Sequence, residues 1–267
     1  MHADREARGY ALVTGASAGI GAALARELAA RGHPLLLTAR RSERLHALQA
    51  ELRKQVDCRV LVADLEDPAA PRELEQAIGA LGIEVGLLVN NAGYGVPGAY
   101  RSADWETHAR FLQIMITAVC ELSWRLLPQL QGHAGGVINV ASLAGHVPGS
   151  AGHTLYAAAK AFMIKFSQSL ALENAEHGMR VCALCPGFTY SEFHDITGTR
   201  DQVSKMPDYM WMKADQVARE GIDAWERGEI VWVPGRVNRM IKTLTALMPD
   251  RLALKLVAKR SKDFRKL

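Results

Sequence analysis

The feature that most constrains this chain is a regular alternation of two periodicities. Seven short runs are near-continuous Val, Leu, Ile and Ala: Tyr10–Thr14, Pro34–Ala39, Cys58–Ala63, Val85–Asn90, Val137–Ala141, Val181–Cys185 and Ile230–Val233. Strands buried on both faces have this composition. Between them lie stretches with helical periodicity: Gly19–Arg31, Ser42–Lys54, Pro71–Leu81, Trp105–Leu130, Thr154–His177 and Ala214–Arg227. Repeated strand–helix–strand units specify a parallel sheet with helices on both faces. The expected fold class is therefore α/β, a doubly wound parallel sheet of about seven strands in a single domain. That domain is expected over 1–235, with a substrate loop at 187–213 and a separate tail at 236–267. The least regular stretch, Gly187–Asp208, has the mixed polarity of a functional loop.

A chain of 267 residues, 49% hydrophobic and 22% charged, can bury a core without staples. Its four cysteines are too few for a disulfide scaffold. Cys182 and Cys185 form a C-x-x-C, but strand alternation sends them to opposite faces, so they read as buried thiols. A reducing, cytoplasmic location is expected. The charged N-terminus, Met1–Tyr10, is followed by nothing resembling a signal-peptide core, and no run of about 18 apolar residues occurs. The net charge of +4 divides unevenly: residues 236–267 hold ten Lys/Arg and two Asp/Glu, a net of +8, which leaves −4 on the rest. The basicity is thus no nucleic-acid footprint of the domain, and no nucleic-acid partner is expected.

Thr14-Gly15-Ala16-Ser17-Ala18-Gly19-Ile20-Gly21 sits between the first strand and the first helix. Gly15 permits a tight turn, Gly19 lets backbone approach a pyrophosphate, and Gly21 allows close helix–strand packing. The helix N-terminus then offers free N–H groups and a positive dipole end to an anion. The fold is accordingly expected to be of Rossmann type. At the end of the second strand an NAD site usually places a carboxylate for the ribose 2′-hydroxyl. Here Ala39 takes that position, followed by Arg40 and Arg41. A guanidinium can bind a 2′-phosphate bidentately, so the expected cofactor is NADP(H).

Tyr156 and Lys160 stand at i and i+4 on one helical face, downstream of Ser142, which follows the fifth strand. With these residues the sequence resembles the short-chain dehydrogenase/reductase family. The matching motifs are the glycine turn (14–21), Asp64-Leu65 after the third strand, Asn90-Asn91-Ala92-Gly93 after the fourth, Ser142, YAAAK (156–160), and Pro186-Gly187 after the sixth. They occur in family order over about residues 8–235.

The resemblance implies hydride transfer between a nicotinamide and a carbonyl or secondary alcohol. Tyr156 would be the acid/base. Lys160 would stabilise its phenolate and hold the nicotinamide ribose, and Ser142 would hydrogen-bond the substrate oxygen. Gly15, Ser17, Gly19, Ile20, Gly21, Arg40 and Arg41 would bind the cofactor's phosphates. Asp64 and Leu65 would contact its adenine; Asn91, Ala92 and Gly93 would line its channel. Pro186, Gly187 and Thr189 would cover the nicotinamide, with Ser191 where the family often has Thr. A homodimer or homotetramer built on Trp105–Leu130 and Thr154–His177 is also implied.

Two departures stand out. The Ser142–Tyr156 interval is one residue longer than the commonest family spacing, which points to an insertion in Gly145–Leu155. Where the family usually carries an Asn that shapes the preceding helix and helps hold a water beside the Lys, this chain has Met115. A thioether cannot replace an amide's hydrogen bonds, so proton delivery is expected to differ, with Gln113 or Thr117 as candidate substitutes. A non-catalytic NADP-binding sensor is the alternative reading.

No histidine set has metal-ligand spacing, and no metal is expected. His146, His153 and His194 are substrate-side candidates. Met206, Met210, Trp211 and Met212 either line an apolar pocket or pack the loop on the sheet. In the tail, Val237, Met240, Ile241, Leu244, Leu247 and Met248 share one helical face. That face reads foremost as packing on the domain or a neighbouring subunit, with an anionic membrane surface as the second reading.

Overall fold

The computed structural model describes residues 9–190 and 207–264. Seven parallel strands form one sheet: β1 (Tyr10–Thr14), β2 (Leu35–Ala39), β3 (Cys58–Val62), β4 (Val85–Asn90), β5 (Gly136–Val140), β6 (Arg180–Leu184) and β9 (Val231–Trp232), ordered β3-β2-β1-β4-β5-β6-β9. β7 (Phe188–Tyr190) and β8 (Trp211–Lys213) pair apart from it. The expected doubly wound sheet is thus present. Its strand order reverses between β1 and β4, where such sheets open a crevice at their C-terminal edge.

Alternation along each strand distributes the core to the two faces. Leu35 and Leu37 of β2 join one buried cluster, and Leu36 joins the other. The first cluster takes in helices α1 (Gly19–Ala30), α2 (Ser42–Leu52) and α7 (Ala214–Glu226). The second takes in α3 (Ala70–Ala80), α4 (Trp105–Leu112), α5 (Ala118–Gly132) and α6 (Thr154–Glu173). Cys182 packs in the first cluster and Cys185 in a third, on opposite faces as strand geometry requires; both are free thiols.

Trp105–Leu130 was expected as one regular helix. The structure instead joins α4 to α5 through a π-helical turn, Gln113–Thr117. A π turn inserts one residue into a helix. The apolar spacing Phe111, Ile114, Met115, Ala118 looks alike with or without it, so periodicity could not reveal it. The whole run, Trp105–Gly132, has the length and hydropathy of a membrane span. It is interrupted by Glu121 and Arg125, which pair at 2.7 Å, and its inner side is core.

The tail folds as two helices, α8 (Arg236–Leu247) and α9 (Asp250–Phe264). Its apolar face does not pack on the domain as a whole. Val237, Ile241 and Met248 are half-buried, whereas Met240, Leu244 and Leu247 are exposed. The inward direction of α8 is set by Asn238, which is buried. Polar Asn238 marks no face in the hydrophobic pattern.

Candidate active site

The glycine turn is held from beneath by Thr14. Its buried hydroxyl accepts from the backbone N–H of Asn91 (2.9 Å) and Ala92 (3.0 Å) and donates to the Val89 carbonyl. Asn91 answers with its side-chain amide, donating to the carbonyls of Thr14 (2.9 Å) and Gly15 (3.2 Å). This clamp joins the ends of β1 and β4 across the point where strand order reverses. Gly15 takes φ +65°, and a Cβ there would lie 2.8 Å from Ala92 Cα. Gly21 is equally confined: a Cβ would meet the Gly15 carbonyl oxygen at 2.4 Å. Its role is packing against the turn rather than against a strand. Thr14 was overlooked in the sequence because a Thr closing an apolar strand looks like ordinary β-propensity.

α1 begins without a side-chain cap. Its N-cap residue is Ala18, which has no acceptor to offer, and its first turn contains no acidic residue. An uncapped N-terminus leaves backbone N–H groups facing the crevice, which suits a phosphate. A cation stands nearby, since Arg41 donates from Nε and Nη2 to Ser17 Oγ at 3.2 and 3.1 Å. Arg40 is engaged elsewhere, with Nη1 2.6 Å from Glu66 Oε1 and 3.7 Å from Asp64 Oδ2. Asp64 is exposed, while Leu65 is buried in the core cluster that holds Leu36 and Leu74.

Ser142, Tyr156 and Lys160 meet beyond the ends of β5 and β6. Ser142 follows β5 by two residues. Its Oγ accepts from the Ala144 N–H at 3.1 Å, lies 3.4 Å from the Pro186 carbonyl, and hydrogen-bonds the Tyr156 hydroxyl. Tyr156 and Lys160 lie one turn apart on α6, with Nζ 5.8 Å from the ring centre. Lys160 Nζ donates to the Val140 carbonyl at 2.6 Å, which ties α6 to β5. Burial pushes the Tyr156 phenol up to about 12 and the Lys160 amine down to about 8. Burial is the larger influence on the phenol, and the Ser142 hydrogen bond acts in the opposite direction.

Met115 is 1% exposed, and its thioether packs on Gly93, where a Cβ would lie 2.4 Å from Sδ. The helix distortion therefore persists without the Asn, while the polar group is gone. Thr117 is exposed; Gln113 is partly buried and its Nε2 has no hydrogen-bond partner. His153 packs edge-on to Tyr156, with ring centres 5.9 Å apart. His146, in contrast, has Lys165 and Lys242 as its charged neighbours. Ser191, His194 and Met206 lie outside the described residues. Met212 is buried in the core, and Trp211 stacks on Tyr190 (4.8 Å) and packs on Phe188 (5.4 Å) across the β7–β8 pair. A small, mainly apolar recess beside Tyr156 is lined by Val96, Tyr100, His108, Phe111 and Leu155. His108 is fixed there by a 2.8 Å hydrogen bond to the Tyr100 carbonyl. Sequence reasoning missed it, since one His on an amphipathic helix carries no signal. Among the described residues, no group of His, Cys, Asp and Glu could hold a metal.

Comparison with known proteins identifies the family. The sequence model of the short chain dehydrogenases matches residues 9–201. A nodulation protein G from Rhizobium sp. (strain N33) is 41% identical over 189 residues, 69% of this chain and 75% of that protein. A serine 3-dehydrogenase from Agrobacterium fabrum is 31% identical over 246 residues, covering 90% and 94%. The crystal structure of a short-chain dehydrogenase from Sphingobium yanoikuyae in complex with NADPH superposes with a TM-score of 0.78 at 31% identity, over 90% of this chain and 96% of the other. The chain belongs to the short-chain dehydrogenase/reductase family of oxidoreductases.

Proposed function

We propose that the protein transfers a hydride between NADP(H) and the carbonyl or secondary alcohol of an apolar compound, with Tyr156 as acid/base. The observation that carries this reading is the convergence of Ser142, Tyr156 and Lys160 beyond the end of β5, on the same sheet whose β1 feeds the uncapped N-terminus of α1. Support for NADP(H) comes from the absence of a carboxylate at Ala39, from Arg41 on Ser17, and from the NADPH held by the Sphingobium relative. Support for an apolar substrate comes from the aromatic β7–β8 pair.

The cofactor, when bound, supplies or accepts the hydride. Ser142 Oγ hydrogen-bonds the substrate oxygen and stabilises the negative charge that develops there. Tyr156 passes its proton to that oxygen in reduction and takes it back in oxidation. Lys160, fixed by the Val140 carbonyl, keeps an ammonium beside the phenol below about pH 8 and so favours the phenolate as the proton leaves.

The test is NADPH oxidation against a panel of ketones and aldehydes, with NADH in parallel. Tyr156→Phe is expected to lower kcat by about 100-fold or more, the usual worth of a general acid. A second reading, a non-catalytic NADP-binding sensor, draws on Met115 packed against Gly93. Tight NADPH binding with no turnover on any carbonyl would favour it.

A further inference from the structure

α8 leaves the sheet after β9 and packs behind the Pro186–Gly187 turn, and α9 follows it in the chain. Asn238 is buried; its Nδ2 donates to the Pro234 carbonyl at 2.9 Å and lies 3.6 Å from Met212 Sδ. Its amide also presses on Gly187, where a Cβ would come within 2.4 Å of Oδ1. Arg239 stacks on Trp232 at 5.1 Å and donates to the Val233 carbonyl. These contacts fasten the inner side of α8 directly behind the Pro186–Gly187 turn.

The outer edge is left uncovered. Met240 is 56% exposed, Leu244 55% and Leu247 78%, and Leu252, Leu254 and Leu256 on α9 are each about half exposed (49–51%). Isolated exposed leucines are ordinary. Met240, Leu244 and Leu247 share one face of α8, and Leu252 and Leu256 share one face of α9, so each helix carries an apolar edge that wants an occupant. Cations accompany them: Arg236, Arg251 and Lys255 are exposed, and residues 236–267 carry +8 while the remainder of the chain carries −4. Two copies of the same tail would set +8 against +8, which opposes self-docking. An anionic bilayer complements both properties at once, taking apolar side chains at the acyl boundary and cations at its phosphates.

We propose that α8 and α9 form a docking surface for an anionic lipid bilayer. This proposal is independent of the oxidoreductase reading, and its test does not use turnover. Full-length protein is sedimented with vesicles of equal parts phosphatidylglycerol and phosphatidylcholine, and separately with phosphatidylcholine alone. The protein is expected to pellet with the anionic vesicles, to remain in the supernatant with the neutral ones, and to be released in part by salt. Leu244→Glu with Leu247→Glu is expected to weaken binding about 100-fold or more, at about tenfold per buried Leu. Arg251→Glu with Lys255→Glu should remove the preference for anionic vesicles. All four positions are exposed, and circular dichroism melting confirms that the fold is kept. Equal recovery in the supernatant with both vesicle types overturns the proposal, as does unchanged pelleting of both variants. If the leucine variant instead turns a dimer into a monomer, while the unaltered protein ignores vesicles, the edge belongs to a second copy and the proposal fails.

Discussion

Arg40 and Glu66 show how one contact sets the terms of a binding event. Glu66 holds Arg40 at 2.6 Å and also lies 3.6 Å from Arg110. An adenosine 2′-phosphate that recruits Arg40 must compete with that carboxylate. Arg40 is 54% exposed, so the contest is worth at most about 1 kcal/mol. Glu66→Gln is therefore expected to tighten NADPH up to about fivefold and leave NADH unchanged, as read by titration of nucleotide fluorescence. Equal tightening of both would disconnect Glu66 from the phosphate. His146 gives a second expectation at this scale. Burial, helped by Lys242 and Lys165, lowers its pKa from 6.5 to about 4. The unfolded chain then binds the extra proton first as pH falls, so stability present above 6.5 is lost on descent through about 4. Melting temperatures across that window should fall less steeply in His146→Leu than in the unaltered protein.

At the scale of elements, the sequence disclosed what repeats and concealed what happens once. The seven sheet strands and the helices between them were legible because burial on two faces, or on one stripe, leaves a periodic trace. The one-residue π insertion at Gln113–Thr117 leaves none. A buried polar chain was likewise invisible: Asn90 donates to Asn139 at 2.9 Å, Asn139 to Ser167 at 2.9 Å, and Ser167 to the Met163 carbonyl, joining β4, β5 and α6. Such residues look like interruptions in an apolar run until their partners are known. Within the site, spacing put Tyr156 and Lys160 on one helical face, and their grouping with Ser142 was implied by the family resemblance. Thr14 and His108 were not readable, since their roles depend on residues far along the chain. The π turn also carries a prediction. Met115→Asn would place an amide beside Gly93, where the thioether now packs. It is expected to change kcat by about tenfold and to move the pH profile. Unchanged rate and profile would show that proton delivery does not pass this point.

At the scale of the whole molecule, the exposed apolar side chains among the described residues include two groups on helices. One is the tail edge. The other lies on α5 and α6, where Trp124 is 71% exposed, Leu172 73% and Phe162 39%. The family resemblance implies an assembly through these helices. If they form it, Trp124→Glu with Leu172→Glu should weaken the oligomer about 30-fold or more per residue, hot-spot losses of about 2 kcal/mol each, as measured by sedimentation velocity. An unaltered sedimentation coefficient would place the contact elsewhere.

The bare beginning of α1 reaches furthest into how such a protein lives. An Ala in the place of a capping Ser or Thr costs about 1 kcal/mol of native stability. Once an anion completes that first turn, ligand and fold become one equilibrium: at a concentration of about 100 times its Kd, the cofactor adds about 2.7 kcal/mol to the folded state. The supply of reduced nucleotide around the protein then governs how long each copy survives proteolysis as well as how fast it works, and starvation for cofactor would thin the population before it slowed any single member.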